Sequence, residues 1–523
     1  MRTVDLLVVG SGAGGLAAAL AGARAGLHTV VVEADERFGG SAARSDGALW
    51  LPGNEVLAEA GLPDTRERAL AYLEAVAGAD ADRDRLTALV DYGPAAVSLL
   101  RRRTPLGLRH MAEHPDDAPE RPGGSAAGRA VEPKPFDVNR LGPDRERLEP
   151  PAAQPAWPVA TTSDELRWLS LAARTARGPL AGAGALAKGL AGRASGRERA
   201  TGGQALAAGL RMGLRQVGVL LHTSAPLLEL RAEGRQVLGA RVRLHGRVTE
   251  LATRAGIVLA AGGLEAAGEP HGAARSGAPT TAWAPAVAVP EGAPLPLGDE
   301  RALPGSLIVD ATGRRIANEA APLRLLGHAL HEAYADGRGP AWLIVDQRHR
   351  NRYAFSGGIL PHQALPAAWH DAGLAHTAAS PGELAAALGV PAEALAATLE
   401  RAGLLARHGH DDDFGRGDSA HDRAHGDPGV APNPCLAPLE EPPLSAVRLT
   451  TTTLEAGGSL RADEHARVLD GGGRPLEGLY ATEEVAGVFD GGHPGPGATT
   501  GAAVVAGGIA AHHARGRADR TGR

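Results

Sequence analysis

The chain has one cysteine, Cys435, in 523 residues. That excludes an intramolecular disulfide and, for want of a second thiol, a cysteine-type zinc site. A reducing, cytoplasmic setting fits such a sequence. Aromatic residues are also scarce, with six Trp, five Tyr and five Phe, which argues against a pocket walled by aromatic rings around a rigid polycycle. There is no excess of positive charge. The formal charge is −6, so neither counterion release from a nucleic acid nor attraction to an anionic bilayer is expected. The first apolar run, Leu6 to Ala23, lacks a basic flank before it and a clear cleavage site after it, and glycines interrupt it. It is read as a buried strand entering a helix, not as a leader or an integral membrane segment.

What the chain does contain is ordinary globular material. Hydrophobic residues are 43% and charged residues 22%, close to the usage of folded domains, and the length allows several structural units. The strand Leu6-Leu7-Val8-Val9 runs into Gly10-Ser11-Gly12-Ala13-Gly14-Gly15. In this GxGxxG turn Gly10 permits the tight bend, Gly12 admits a pyrophosphate to the backbone, and Gly15 lets the helix pack close to the strand. A helix to about Ala25 and a second strand, Thr29 to Val32, complete a βαβ unit and deliver Glu33, 21 residues past Gly12. That spacing suits a carboxylate on the ribose hydroxyls of a dinucleotide.

Directly after the acid and Ala34 comes a second small-residue loop, Phe38-Gly39-Gly40-Ser41-Ala42-Ala43, able to approach another part of a long cofactor. The arrangement resembles the FAD-dependent fumarate reductase and succinate dehydrogenase superfamily. The continuation Gly47-Ala48-Leu49-Trp50-Leu51-Pro52-Gly53-Asn54 is similar to its 3-ketosteroid dehydrogenase branch, as are Arg315 to Pro322, Asp413 to Ser419, Gly426 to Pro438 and His493-Pro494-Gly495-Pro496-Gly497-Ala498-Thr499-Thr500-Gly501. The resemblance implies FAD as cofactor. It adds Ala225, Ala261, Gly262, Glu484, Gly497, Ala498 and Thr499 to the cofactor-binding residues of the glycine turns. It also implies an α/β fold: a Rossmann-type FAD-binding domain with a parallel sheet, covering 1–268 and 442–523, interrupted by an α+β catalytic domain at 269–441. A cap or loop excursion is expected at about 105–200, where 105–158 has little periodicity, and the far end is a polar tail.

Relatives of this kind desaturate a ring beside a ketone, using a backbone amide, tyrosines and flavin. Here the carbonyl-binding tyrosine falls on His493 and the amide donor on Gly497, while the proton-abstracting tyrosine falls on Leu323 and the supporting one among His114, Asp117 and Ala118. His493 with Asp490 forms a candidate acid/base pair, because imidazole titrates near neutral pH, and His328 lies on the helix after Leu323. The expected substrate is a small ketone or enone, steroid-like or otherwise cyclic, with an electron acceptor the sequence does not name. Two alternatives stay open: a dicarboxylate reductase, although Pro494 stands where its arginine is expected, and a degenerate flavin-binding protein without catalysis. The run His408 to Asp413, with His421 and His425 beyond it, invites a metal reading, but it overlies a segment that is not a metal site in the resembling family. Asp411 to Asp413 are read as a charged surface turn, and no metal is expected.

Overall fold

The computed structural model describes residues 2–78, 81–151, 161–172, 174–194, 196–261, 280–356, 358–457, 460–482, 485–489 and 492–521. It divides into two compact units, 1–163 with 185–280 and 456–523, and 164–184 with 281–455.

The first unit is built on an eight-stranded sheet. Strand β1 (Arg2–Val9) pairs in parallel with β2 (Thr29–Val32) on one side and with Arg247–Leu259 on the other. Leu220–His222 extends the parallel array beyond β2, and Pro475–Ala481 extends it beyond Arg247–Leu259. The hairpin strands Leu227–Glu233 and Gln236–Leu244 add antiparallel pairing to Arg247–Leu259. Alternation along β1 sends Leu6 and Val8 into one apolar cluster and Leu7 and Val9 into another. A strand buried on both faces reads as a continuous apolar run, as this one does. Helix α1 (Ala13–Arg24) covers one face, and the helix Ala498–Thr521 packs along it so closely that a Cβ on Gly507 would sit 2.4 Å from the Gly14 carbonyl oxygen.

The second unit holds a six-stranded sheet containing Thr280–Val287, Ser306–Val309, Trp342–Val345, Ala375–Ala378 and Leu444–Gly457, flanked by the helices Leu323–Ala335, Pro381–Leu388 and Ala392–His408. The division differs from the sequence-based boundaries in three places. The change of unit expected at 268/269 falls at 280/281. The strand Leu444–Gly457 lies in this unit up to residue 455, because its backbone pairs with Trp342–Val345 and Ala375–Ala378. Residues 164–184 also join this unit: Arg167 donates to the carbonyl of Ala424 and Arg174 pairs with Asp427 at 2.8 Å.

The described part of the segment 105–158, residues 105–151, is more ordered than its composition suggests. Leu108–His110 and Ala130–Pro133 form a three-stranded sheet with β3 (Leu49–Trp50). Beside them Arg129 is fully buried between Asp64 and Asp116. Charge pairing holds this layer, so hydrophobic periodicity does not reveal it. Asp411 likewise corrects a surface reading: it is buried and paired to Arg315 at 2.9 Å. None of the described helices is long and apolar enough to cross a membrane.

Candidate flavin and substrate site

The first half of the site lies at the carboxyl ends of β1 and β2. Gly10 adopts φ +103°, and a Cβ there would lie 2.2 Å from the Ala260 carbonyl oxygen, so only glycine makes this turn without displacing backbone. Gly12 caps α1 without a side-chain bond, which leaves the first-turn N–H groups of Ala13, Gly14 and Gly15, all buried, to an external acceptor. Such a terminus suits a diphosphate through its unpaired donors and the helix dipole. The Glu33 carboxylate accepts the Ser11 backbone N–H at 2.8 Å and the Ser11 hydroxyl at 2.5 Å, and Ser11 Oγ in turn accepts the Gly39 N–H at 3.2 Å. One buried hydroxyl therefore ties the first glycine turn, the acid and the second glycine loop together. Ala34 follows the acid on the exposed edge. Gly39 caps the short helix α2 (Gly40–Arg44), which carries Gly40 and Ser41. Ala225 closes the same corner, its N–H donating to the Glu33 carbonyl at 2.7 Å. Ala261 follows the strand end at Leu259, while Gly262, Glu483 and Glu484 lie outside the described residues. These donors and glycines fit the adenosine diphosphate of FAD, a group they would hold through backbone amides and one carboxylate.

The second half is the turn 493–497 leading into Ala498 and Thr499 at the head of the 24-residue helix Ala498–Thr521. Gly497 has φ +77°, and a Cβ on it would lie 2.1 Å from the carbonyl carbon of Ala48. Its carbonyl accepts the Trp50 N–H at 3.2 Å, whereas its own N–H has no acceptor among the described residues. The Pro494 carbonyl accepts two bonds, from the Tyr72 hydroxyl at 2.8 Å and from the Asp117 N–H at 3.1 Å. The Ala118 N–H donates to the same Tyr72 oxygen at 3.1 Å. Burial pushes the Tyr72 phenol well above its ordinary range, so it stays a neutral donor.

Behind this turn Asp116 accepts from Trp50 Nε1 at 2.9 Å and from the Ser125 N–H at 3.0 Å, and it pairs with Arg129. Burial pushes the Asp116 carboxyl up to about 6, against the opposing pull of Arg129. The guanidinium of Arg129 also bonds Asp64 at 2.7 Å and lies 5.4 Å from the Tyr72 ring centre. A buried charge cluster thus fixes the strip 116–118, and that strip fixes the 493–497 turn.

His493 Nδ1 lies 3.0 Å from Asp117 Oδ2, with side-chain exposures of 15% and 14%. The carboxylate that His493 meets in the structure is that of Asp117. Asp490, the partner expected from sequence, lies outside the described residues. Leu323 opens the helix Leu323–Ala335 in the second unit, 39% exposed, and His328 is 64% exposed and pairs with Glu332 at 3.2 Å. His328 is therefore a solvated helix residue. Sequence reasoning missed Tyr72, Trp50, Asp116 and Arg129 as supports of the site. The only signal for Tyr72 was its place on the apolar side of a helix, which shows burial and no partner.

Known proteins share this architecture. The family of FAD binding domains matches residues 5–287 and 269–500. The chain is 37% identical to the 3-oxosteroid 1-dehydrogenase of Mycolicibacterium smegmatis, over 97% of this chain and 96% of that one. It is 33% identical to the 4-oxocyclohexanecarboxylate 2-dehydrogenase of Sinomonas cyclohexanicum, over 99% and 93%. The crystal structure of the 3-ketosteroid Δ1-dehydrogenase from Sterolibacterium denitrificans in complex with 1,4-androstadiene-3,17-dione superposes with a TM-score of 0.90, at 32% identity and with 99% and 100% of the chains covered. Fold and glycine turns together define a flavoprotein whose cofactor is FAD. The chain belongs to the ketosteroid dehydrogenase branch of the fumarate reductase and succinate dehydrogenase flavoprotein superfamily.

Proposed function

We propose that this protein is an FAD-dependent dehydrogenase that introduces a double bond beside the carbonyl of a cyclic ketone, with a 3-oxosteroid or a smaller ring ketone as substrate. The observation that carries the reading is the N–H of Gly497, left without an acceptor at the head of a long helix and beside the His493–Asp117 pair. Two families of relatives support the substrate range, one named for oxosteroids and one for oxocyclohexanecarboxylate.

Acidifying a C–H beside a ketone needs a donor placed where negative charge develops on oxygen. The Gly497 amide supplies it, reinforced by the positive end of the helix dipole. Because Trp50 and Tyr72 hold the turn through backbone carbonyls, the donor is in place before substrate arrives. Ser11, Glu33, Ala225 and the first turn of α1 hold the adenosine end of FAD, and bound FAD supplies the hydride acceptor.

The test uses purified holoprotein with 4-androstene-3,17-dione and, separately, 4-oxocyclohexanecarboxylate, under an artificial electron acceptor. Anaerobic bleaching of the flavin by at least one of them, with continuous turnover once acceptor is added, is the expected result. A protein that retains flavin reducible by dithionite, yet is bleached by no ring ketone, overturns the reading.

A further inference from the structure

Resting on that reading, we infer that His493 is the base that takes the α-proton of the ketone, through Nε2, with Asp117 as the residue that positions it and sets its tautomer. The resemblance to ketosteroid dehydrogenases leaves this step without an agent, because the position of the proton-abstracting tyrosine is Leu323, a hydrocarbon. It also implies that residue 493 donates to the substrate oxygen. The observed hydrogen bond points the other way.

An ionised carboxylate only accepts hydrogen bonds. Asp117 Oδ2 lies 3.0 Å from Nδ1 of His493, so Nδ1 carries the hydrogen. In the neutral ring the lone pair is then on Nε2, which has no partner among the described residues. Such a nitrogen accepts a proton and does not donate one. The same logic operates wherever a carboxylate orients a histidine base.

The surroundings hold the ring in that orientation. The edge of Phe489 lies against it, with ring centres 6.1 Å apart. Asp117 is held from its backbone side, since its N–H donates to the Pro494 carbonyl one residue beyond His493. The dyad therefore closes a small ring of contacts: Asp117 side chain to His493, Asp117 main chain to Pro494. The main-chain bond holds the two residues side by side, so the side-chain bond needs no rearrangement of the backbone to form. The Gly497 N–H, the donor this reaction needs at oxygen, opens from the same turn.

The chemistry balances with these groups. The proton leaves the carbon beside the carbonyl for Nε2, and its bonding electrons move toward the oxygen held by Gly497. The resulting imidazolium is compensated by Asp117. Bound FAD would supply the acceptor for the hydride that the neighbouring carbon must lose as the carbon–carbon double bond forms, so that ketone would become enone as the flavin gains two electrons, while the proton on His493 passes to solvent.

The experiment separates proton transfer from hydride transfer. Holoprotein reduced with dithionite cannot accept hydride, so incubating it with 4-androstene-3,17-dione in D2O reports exchange of α-hydrogens alone, read by NMR against a protein-free control. The unaltered protein is expected to exchange. His493→Gln keeps an N–H able to reach an oxygen and removes the base; exchange is expected to fall about 10²–10⁴-fold, the usual worth of a general base. Asp117→Asn presents an amide donor to Nδ1 and so selects the wrong tautomer, and a fall of the same order is expected. In both variants the dissociation constant for the steroid, read from the flavin difference spectrum, is expected to stay within about threefold, because binding uses other groups. Added imidazole is expected to restore exchange to His493→Ala. Exchange surviving in His493→Gln or Asp117→Asn within about threefold would falsify the assignment while leaving the dehydrogenase reading intact. Failure of the unaltered protein both to exchange and to be bleached by ring ketones defeats the proposed function, and this assignment with it.

Discussion

The phenolic hydroxyl of Tyr72 donates a 2.8 Å hydrogen bond to the carbonyl of Pro494, joining residues 422 positions apart in the chain. It also receives the Ala118 N–H, so one oxygen spans the strip beside Asp117 and the turn bearing His493. Tyr72→Phe leaves the Ala118 N–H without its acceptor. A loss of about 1 kcal/mol in stability follows from stranding a partly buried donor. Turnover should fall more than FAD retention, because the turn loosens while the Ser11–Glu33 corner is untouched. Thermal unfolding alongside the ratio of bound flavin to protein checks both halves.

Gly497→Ala adds a methyl group 2.1 Å from the Ala48 carbonyl carbon at a positive φ. The turn must shift, and the amide leaves the position proposed for binding the ketone oxygen. Losing one such donor costs about 10²–10³ in rate. Stopped-flow bleaching by a ring ketone should slow by that order, with the yellow colour of the purified protein preserved. Equal rates in the two proteins exclude the Gly497 amide from the reaction.

At the other end of the site, Ser11→Ala removes the hydroxyl that links the Glu33 carboxylate to the Gly39 N–H. The second glycine loop then loses its tie to the first. FAD affinity is expected to weaken about tenfold, equivalent to one buried hydrogen bond. Titration of apoprotein with FAD, followed by quenching of flavin fluorescence, measures it. No change would detach the second loop from cofactor binding.

Asp116 supplies a pH-dependent signal. Burial raises its carboxyl to about 6 from an ordinary value of 3.8. The folded state therefore holds this proton more tightly than the unfolded chain. The group's contribution to stability is largest at low pH and declines as pH rises from about 4 to about 6. Because Trp50 Nε1–H donates to this carboxyl, Trp50 emission should change with a midpoint near 6. The difference between the unaltered protein and Trp50→Phe isolates that step, and Asp116→Asn should erase it.

In the second unit His349 behaves in the opposite sense. It is buried, its Nε2 lies 3.0 Å from the Glu300 carbonyl, and burial lowers its value to about 3 from 6.5. The unfolded chain binds the proton first. Stability from this residue is complete above 6.5 and is lost as pH falls toward 3. His349→Gln should lower stability at neutral pH and flatten the acid limb. Urea midpoints at pH 7.5 and 4.5 give the comparison, and parallel pH dependence in the two proteins would refute it.

The residues at the cofactor end were legible because they act through local geometry. A positive-φ glycine after an apolar strand, a helix without a side-chain cap and an acid at the end of the next strand are all written within one βαβ unit, where sequence spacing maps directly onto distance. The interruption of the FAD-binding unit was legible through resemblance, but its edges were not, because strand Leu444–Gly457 and the segment 164–184 are committed by partners far along the chain.

What this amino-acid sequence determined alone was the dinucleotide turn with Glu33 and the kind of fold that carries it, since both follow from backbone preferences over short range. Only the tertiary structure decided that Asp117, and through it a buried Arg129–Asp116 cluster, stands behind His493. The reason is physical: burying a charge requires a partner brought in from elsewhere in the chain. No periodicity in the segment around Asp117 records which turn it will face.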